Sequence, residues 1–432
     1  MTGGRMALVR LIAAYAVSMT GTRVSAVAIP WFVLVTTGSA TRTGLVLFVE
    51  MAPYVVVKAL AGPMIDRRGP RPVSVWTDLV STGLVAAVPA LYLLGALPYW
   101  LLLVLVAAIG TARGPGDAAK AALVPRVAET AGVRLERATG LVQTVQRLAT
   151  AVGPALAAAL LAVVEPTTAL LVDAASFALA GLLLAPALRR RHPAPIPASA
   201  APVDPAAAED EAADESEPYL RRLRAGASFM HRDRLLRAIV LMVGITNLID
   251  AAFIGVLLPV WARESGRGVT GFGILLTVIS GAAVAGSLLA AGFAHRLPYR
   301  LTYFVCFSLG GPPLYFVLAG GPPLPAIIAV YTVCGLLTGL VNPILSTVML
   351  RRIPANLTGR VLAMVQAVAW VGIPLGGLVG GALTESIGIT AALLACGGYY
   401  LVVIAVIGAE RGWREMDRAP APAAPARVTT AS

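Results

Sequence analysis

Apolar stretches of about twenty residues recur along almost the whole chain and are separated by short polar segments. A helix rises about 1.5 Å per residue, so stretches of this length can cross the roughly 30 Å hydrocarbon core of a bilayer. The pattern predicts an all-α integral membrane protein with twelve membrane-spanning helices. The predicted spans are residues 7–35, 42–62, 73–95, 98–118, 138–163, 167–188, 236–260, 270–293, 300–320, 325–349, 359–383 and 388–408.

The middle of the chain interrupts this pattern. Residues 190–218 are rich in proline, alanine and acidic residues and have no apolar periodicity, which predicts a disordered linker. The linker divides the chain into two six-helix bundles, residues 1–189 and 235–410. Residues 219–234 place apolar and basic positions at helical spacing, which predicts an amphipathic helix, and residues 411–432 are predicted to form a disordered tail.

Composition supports a membrane protein and excludes several other classes. The chain of 432 residues is 58% hydrophobic, and its mean hydropathy is +0.81, which a soluble protein of this size would not have. Its net charge of +12 comes from bases in short loops between apolar stretches, so no nucleic acid is expected as a partner. The bilayer itself is an expected partner, and the first apolar stretch is predicted to be a retained helix, because no soluble domain follows it.

The positions of lysine and arginine predict the orientation. Loops after spans 2, 4, 8 and 10 carry twelve of these residues, whereas loops after spans 1, 3, 7, 9 and 11 carry three. Positive residues remain in the cytoplasm, so both termini and the linker are predicted to be cytoplasmic.

Motifs for other chemistry are missing from the sequence. There is no phosphate-binding loop of an ATP-driven pump, and the three histidines are far apart in sequence. Cys306, Cys334 and Cys396 lie inside apolar stretches and have neither a disulfide pattern nor a metal-ligand spacing. The sequence therefore predicts a protein that is not an enzyme and that has no metal site or cofactor.

A charged loop after the second span carries a recognisable motif. Its sequence GPMIDRRGPRPV places glycines, an aspartate and arginines at the spacing Gly-x-x-x-Asp-Arg-x-Gly-x-Arg. The residues of this motif are Gly62, Asp66, Arg67, Gly69 and Arg71. The pattern resembles the signature loop between helices 2 and 3 of the major facilitator superfamily, and it lies in the expected loop of a twelve-helix chain.

The resemblance implies both a mechanism and a branch of that family. In the family, the aspartate lies beside the N-terminus of helix 11, which here corresponds to residues 358–361, and clasps the two halves on the cytoplasmic side. Stretches such as VGPALAAAL and TGRVLAMVQA resemble the drug-exporting branch with macrolide-efflux and enterobactin-exporter-like members. The stretch TVQRLATAVGPALAAAL in span 5 resembles the antiporter motif of proton-coupled exporters, in which Gly153 and Pro154 would bend the helix.

Ionisable residues inside the predicted spans are costly in hydrocarbon and are therefore candidates for function. Arg23 and Glu50 fall near mid-depth, where they can form a structural pair or take part in proton coupling. Arg113 occupies the position of a span-4 arginine implicated in proton transfer in the family, and Asp117, four residues later, can pair with it. Asp250 in span 7 is a further candidate for proton coupling, because that helix lines the cavity in this fold.

Aromatic and amide residues on spans 1, 7 and 11 suit a bulky amphipathic ligand. The residues predicted to line a substrate cavity are Trp31, Asn247, Phe253, Gln366 and Trp370.

These observations predict a monomeric, multi-pass transporter of the bacterial cytoplasmic membrane. We expect it to export a hydrophobic or amphipathic small molecule by proton antiport, with two bundles rocking about a midplane site. Two alternatives stay open from the sequence: an importer or facilitator of a metabolite or lipid on the same fold, and a non-transporting membrane receptor or assembly protein.

Overall fold

The structure is a computed structural model that describes residues 2–185, 228–293, 298–353 and 358–416. Within these ranges a few side chains, among them those of Pro154 and Gln366, lie outside the described part. The predicted linker at 190–218 falls outside it entirely, as does most of the predicted amphipathic segment, of which residues 228–232 are described and helical.

The described part of the first half is helical. Its helices are α1 (Thr2–Thr37), α2 (Ala40–Leu60), the short α3 (Gly62–Arg68), α4 (Pro70–Leu93), α5 (Tyr99–Ala131), α6 (Leu135–Val163) and α7 (Pro166–Leu184). We call the side of the protein at the α1–α2 connection the Ser39 side and the opposite side, which carries α3, the Asp66 side.

The second half is also helical where it is described. Helix α8 (Arg234–Ala252) continues through a π-helical turn (Phe253–Leu257) into α9 (Leu258–Glu264). Then follow α10 (Gly268–Phe293), α11 (Tyr299–Gly310), α12 (Pro312–Gly320), α13 (Leu324–Arg352) and α14 (Thr358–Gly408).

Within the described residues, ten helices, some built from two consecutive elements, are long and apolar enough to cross a membrane. Helix α6 has the length to cross a membrane but is not among these ten, and several of its side chains lie outside the described residues. Helix α14 contains Gly388 with a φ of 78°, which breaks the helical path and separates two spanning segments. Counting α6 and both parts of α14 fits the twelve predicted crossings.

Among the predicted boundaries that differ from the structure, two change where a buried residue lies. The predicted fourth span ends at residue 118, whereas α5 continues to Ala131 and stops at Gly132, which has a φ of 63°. Residues 411–415 are predicted to belong to the disordered tail, but Arg411–Glu415 form a 3₁₀ helix. Trp413 in that turn is fully buried and stacks on Tyr303 with ring centroids 5.0 Å apart, and this aromatic contact orders the segment.

Helices α2 and α14 form the closest contact between the halves. A Cβ on Gly44 would lie 2.0 Å from the carbonyl oxygen of Gly377, and one on Gly381 would lie 2.7 Å from that of Ala40. The two backbones approach this closely because neither helix has a side chain at the contact. Helices α6 and α10 form a second contact between the halves, and α1 contacts α9.

Candidate functional site

A buried ion pair lies in the first half. The guanidinium of Arg113 on α5 donates a hydrogen bond of 2.8 Å to Glu50 Oε1 on α2, and their side chains are 11% and 7% exposed. Gly110 on α5 allows this approach, since a Cβ there would lie 2.0 Å from the carbonyl oxygen of Glu50. Pairing offsets the cost of holding both charges away from water.

Glu50 is therefore paired with Arg113 and not with Arg23, the partner suggested by the sequence. Arg23 donates instead to the hydroxyl of Thr150 on α6 at 3.0 Å. Its side chain lies against Gly153, where a Cβ would come within 2.4 Å of Arg23 Cβ. The glycine predicted to bend span 5 makes room for this arginine, while the side chain of Pro154 lies outside the described residues.

A second polar group joins α2 to α5 and reaches the other half. Asp117 accepts a hydrogen bond of 2.9 Å from the Tyr54 hydroxyl, so it does not pair with Arg113 as its spacing suggested. Lys58 donates to the same hydroxyl at 3.0 Å. Its ammonium also lies 4.9 Å from the centre of the Trp370 ring on α14, a cation–π contact between the two halves.

The remaining charged groups of the first half tie its helices together. The ammonium of Lys120 donates to Asp78 at 2.7 Å and to Ser18 at 2.9 Å, and both members of the ion pair are almost fully buried. Lys120 lies beyond the predicted end of the fourth span at residue 118, so the sequence predicts a loop position for it, but α5 continues to Ala131 and places it inside the bundle. Asp173 on α7 accepts hydrogen bonds from the hydroxyls of Ser25 and Ser176.

Among the described residues, the second half contains far fewer buried charges. Asp250 on α8 accepts a hydrogen bond of 3.1 Å from the Tyr315 hydroxyl on α12. Asn247, one turn earlier, donates to the carbonyl oxygen of Ala369 at 2.9 Å. The ring of Phe253 is buried, and its centroid lies 4.5 Å from that of the Tyr315 ring. Asp250 and Phe253 therefore both contact Tyr315, whereas Asn247 contacts the backbone of α14.

The predicted cavity residues do not converge on one place. Trp31 stacks on Phe272 of the second half with ring centroids 6.3 Å apart, whereas the ring of Trp370 faces the ammonium of Lys58. The side chain of Gln366 lies outside the described residues. Asn247 and Phe253 are close to Asp250, as their spacing on one helix predicts.

The signature loop forms α3 and its connection to α4. Gly69 joins them with a φ of 83°, a conformation that favours glycine. Gly62, Asp66, Arg67 and Arg68 are exposed. Of the segment predicted to meet Asp66, the side chains of residues 358–360 lie outside the described part, so the clasp stays a prediction, as does the role of Arg71 in it.

A polar cluster on the Asp66 side belongs to the second half alone. Arg352 at the end of α13 donates to Asp233, the N-cap residue of α8, at 2.8 Å and to Glu415 at 2.7 Å. Burial lowers the pKa of Arg352, but the hydrogen bonds and charges of the two carboxylates outweigh this effect, so its pKa is raised. The cluster fastens the 3₁₀ turn to the bundle and contains none of the predicted coupling residues.

Sequence reasoning missed the tyrosines that organise both sites. Tyr54 is four residues before Lys58, a spacing that places both on one helix face. No comparable pattern marks Tyr315, since its partner Asp250 lies on a distant segment. A tyrosine in an apolar stretch is predicted from sequence to be an ordinary packing residue. Only the fold shows that its hydroxyl donates to a carboxylate.

Comparison with known proteins identifies the family. The sequence model of the Major Facilitator Superfamily matches residues 11–249 and 240–427. The multidrug efflux pump Tap of Mycobacterium tuberculosis is 30% identical over 410 residues, covering 93% of this chain and 92% of that protein. Macrolide efflux protein A of Streptococcus pyogenes is 24% identical, covering 91% and 93%.

Solved structures share the fold at low sequence identity. The nucleoside transporter NupG superposes with a TM-score of 0.70 at 14% identity, covering 93% of this chain and 98% of that one. A bacterial homologue of the human lysosomal transporter Spinster, in an inward-facing and unoccupied conformation, gives 0.71 at 13% identity, covering 97% and 99%. With the sequence matches, which span both halves, these likenesses establish that the chain is a multi-pass transporter belonging to the Major Facilitator Superfamily.

Proposed function

We propose that this transporter exports a hydrophobic or amphipathic small molecule across the bacterial plasma membrane in exchange for protons. The observation that carries the proposal is the buried Glu50–Arg113 pair, because an ion pair inside a spanning bundle marks an ion or substrate pathway by default. The relatives named as multidrug and macrolide efflux proteins support the direction and the cargo class.

Two carboxyl groups are proposed to carry the proton. Glu50 is neutralised by a guanidinium, so uptake of a proton would release Arg113 for another partner. Asp250 has a hydroxyl as its hydrogen-bond donor among the described residues. An ionised carboxylate that has a neutral hydroxyl as its donor raises the free energy of an apolar bundle. Its ionisation would therefore be coupled to access of water or of substrate.

Transport by alternating access would follow the division into two halves. The Asp66 side is proposed to be cytoplasmic, in keeping with the distribution of positive loop residues. Asp66 would then clasp the N-terminus of α14 when the cytoplasmic side closes, and its separation from that helix would accompany opening toward the cytoplasm.

Purified protein in liposomes with an imposed pH gradient tests this proposal. We expect Glu50→Gln with Asp250→Asn to abolish gradient-driven movement of a fluorescent amphipathic dye, while each folded variant still binds the dye. Unchanged dye efflux in the double variant would contradict the coupling assignment. Dye movement with the proton flow, instead of against it, would favour the importer alternative, and absence of any movement by the wild-type protein would favour a receptor.

The clasp has a separate test. Asp66→Asn should reduce transport but leave membrane insertion and topology unchanged, because the arginines that set the orientation remain. Glu129→Gln is a matched control, because it removes an exposed carboxylate near the end of α5 that lies outside the motif. Normal transport by Asp66→Asn would mean that the loop acts in orientation alone.

A further inference from the structure

The second half places a carboxylate on the first turn of a helix in the first half. Glu385, near the end of the first segment of α14, accepts hydrogen bonds through Oε2 from the backbone N–H of Thr41 at 3.2 Å and from the hydroxyl of Ser39 at 3.3 Å. Thr41 is the second residue of α2, so its N–H has no acceptor inside that helix.

The N-terminus of α2 is thus capped by both halves. Its own N-cap residue, Ser39, accepts from the N–H of Arg42 at 3.2 Å. The neighbouring N–H of Thr41 is left for Glu385. A negative group at this position is also favoured by the positive end of the helix dipole.

An arginine makes the complementary contact at the end of α1. Arg263, at the end of α9, donates to the carbonyl oxygen of Leu34 at 3.0 Å. Leu34 is in the last turn of α1, where its carbonyl oxygen also accepts from the N–H of Gly38 at 3.0 Å and where the negative end of the helix dipole favours a positive charge. Arg263 therefore contacts the end of α1 and Glu385 the start of α2, on either side of the short connection of residues 38–39.

These two contacts lie where they would break when the halves separate. Both cross from the second half to the first on the Ser39 side, beside the glycine contact of α2 with α14. Both residues are exposed, so water can replace each contact once the halves part. Neither residue takes part in the buried networks of the bundle.

We infer that Glu385 and Arg263 form a latch that holds the Ser39 side closed and so sets the balance between the two access states. The inference rests on the proposed transport by alternating access. It adds a counterpart to the Asp66 clasp: in each case a carboxylate from one half meets the N-terminus of a helix in the other, and the two act on opposite sides of the membrane.

The latch predicts shifts of opposite sign for the two carboxylates. Glu385→Gln removes the charge from the helix dipole and should lower the ratio of closed to open molecules on the Ser39 side by about two- to fivefold. Asp66→Asn should raise that ratio, and the double variant should return toward the wild-type value. A merely structural role of Glu385 would lower stability without this compensation.

Distances between spin labels on purified protein in lipid nanodiscs measure the ratio directly. Leu94→Cys and Ala326→Cys place labels on exposed positions of the two halves on the Ser39 side, away from the latch. Cys306, Cys334 and Cys396 are buried, which favours labelling of the introduced pair. Because no substrate or gradient is needed, this readout is independent of whether the proposed export is correct.

A matched pair of arginines supplies the control. Arg263→Gln should populate longer label distances, whereas Arg267→Gln should not, because Arg267 contacts its own half: the Trp261 ring at 5.0 Å and the Pro322 carbonyl oxygen at 3.4 Å. Equal distance distributions for wild type, Glu385→Gln and Arg263→Gln would overturn the latch. Equal shifts for Arg263→Gln and Arg267→Gln would also overturn it, since loss of any nearby charge would then explain them.

Discussion

The two halves of this transporter share a helical architecture but use different chemistry inside the membrane. The first half buries two ion pairs, Glu50 with Arg113 and Asp78 with Lys120, each at hydrogen-bonding distance. The second half holds Asp250 on a tyrosine hydroxyl and relies on aromatic rings and glycine contacts. The difference suggests that proton coupling depends mainly on ion pairs in the first half. The second half would contribute mainly packing contacts, including the surface against which the first half moves.

Breaking the Glu50–Arg113 pair should give the largest effect. Glu50→Gln leaves a buried guanidinium without its carboxylate and should lower the free energy of unfolding by ~3–5 kcal/mol. Thermal unfolding in detergent, read against the wild-type protein, measures this loss. Glu50→Gln with Arg113→Gln should recover much of the stability but not the proton-driven transport; recovered transport would remove the pair from the coupling machinery.

The Asp78–Lys120 pair separates structure from function within the same half. Lys120→Met should destabilise the protein to a similar extent, because it leaves the buried Asp78 carboxylate without its ion-pair partner and the Ser18 hydroxyl without its hydrogen-bond donor. Asp78→Leu with Lys120→Met should restore stability together with transport. If this double variant is stable but inactive, both ion pairs belong to the mechanism and the contrast between them fails.

The glycine contact tests the role assigned to the second half. Gly377→Ala adds a Cβ that would lie 2.7 Å from the carbonyl oxygen of Gly44, so α2 and α14 must separate. Overpacking of this kind costs roughly 1–3 kcal/mol. We expect a lower unfolding temperature and an altered label distance on the Ser39 side, whereas Gly83→Ala, with open space around its Cβ, should change neither.

Removing the tyrosine hydroxyl beside Asp250 should have the smallest effect on stability. Tyr315→Phe deletes one hydrogen bond to the carboxyl group, at a cost of about 1–3 kcal/mol if Asp250 stays ionised and less if it is protonated. Comparing unfolding of Tyr315→Phe with that of Tyr315→Phe/Asp250→Asn distinguishes the two cases. A loss as large as that from Glu50→Gln would mean that the second half is as dependent on buried charge as the first.

Much of the architecture could be predicted from the pattern of apolar positions, because a membrane requires about twenty such residues for every crossing. The motif loop and the family followed from residues close together in sequence. The pairing of buried charges did not follow. Arg23 and Glu50 both lie near mid-depth, but their partners depend on how each helix is rotated and on how closely neighbours approach, which Gly110 and Gly153 decide.

Helix ends limited the prediction in a similar way. Lys120 appeared to be a loop residue because the predicted span ends at residue 118, yet α5 continues for more than three further turns to Ala131. The roles of Glu385 and Arg263 were equally hidden, since each acts on backbone groups of a distant helix and leaves no side-chain motif.

The cation–π contact of Lys58 with Trp370 has a consequence for ligand access. The ammonium occupies the face of an aromatic ring that a bulky ligand could otherwise cover, and it does so between the two halves. A flexible four-carbon side chain two residues from the end of α2 can withdraw toward the Asp66 side. Lys58 would then leave the Trp370 ring when a transported molecule binds there and return to the ring after that molecule is released.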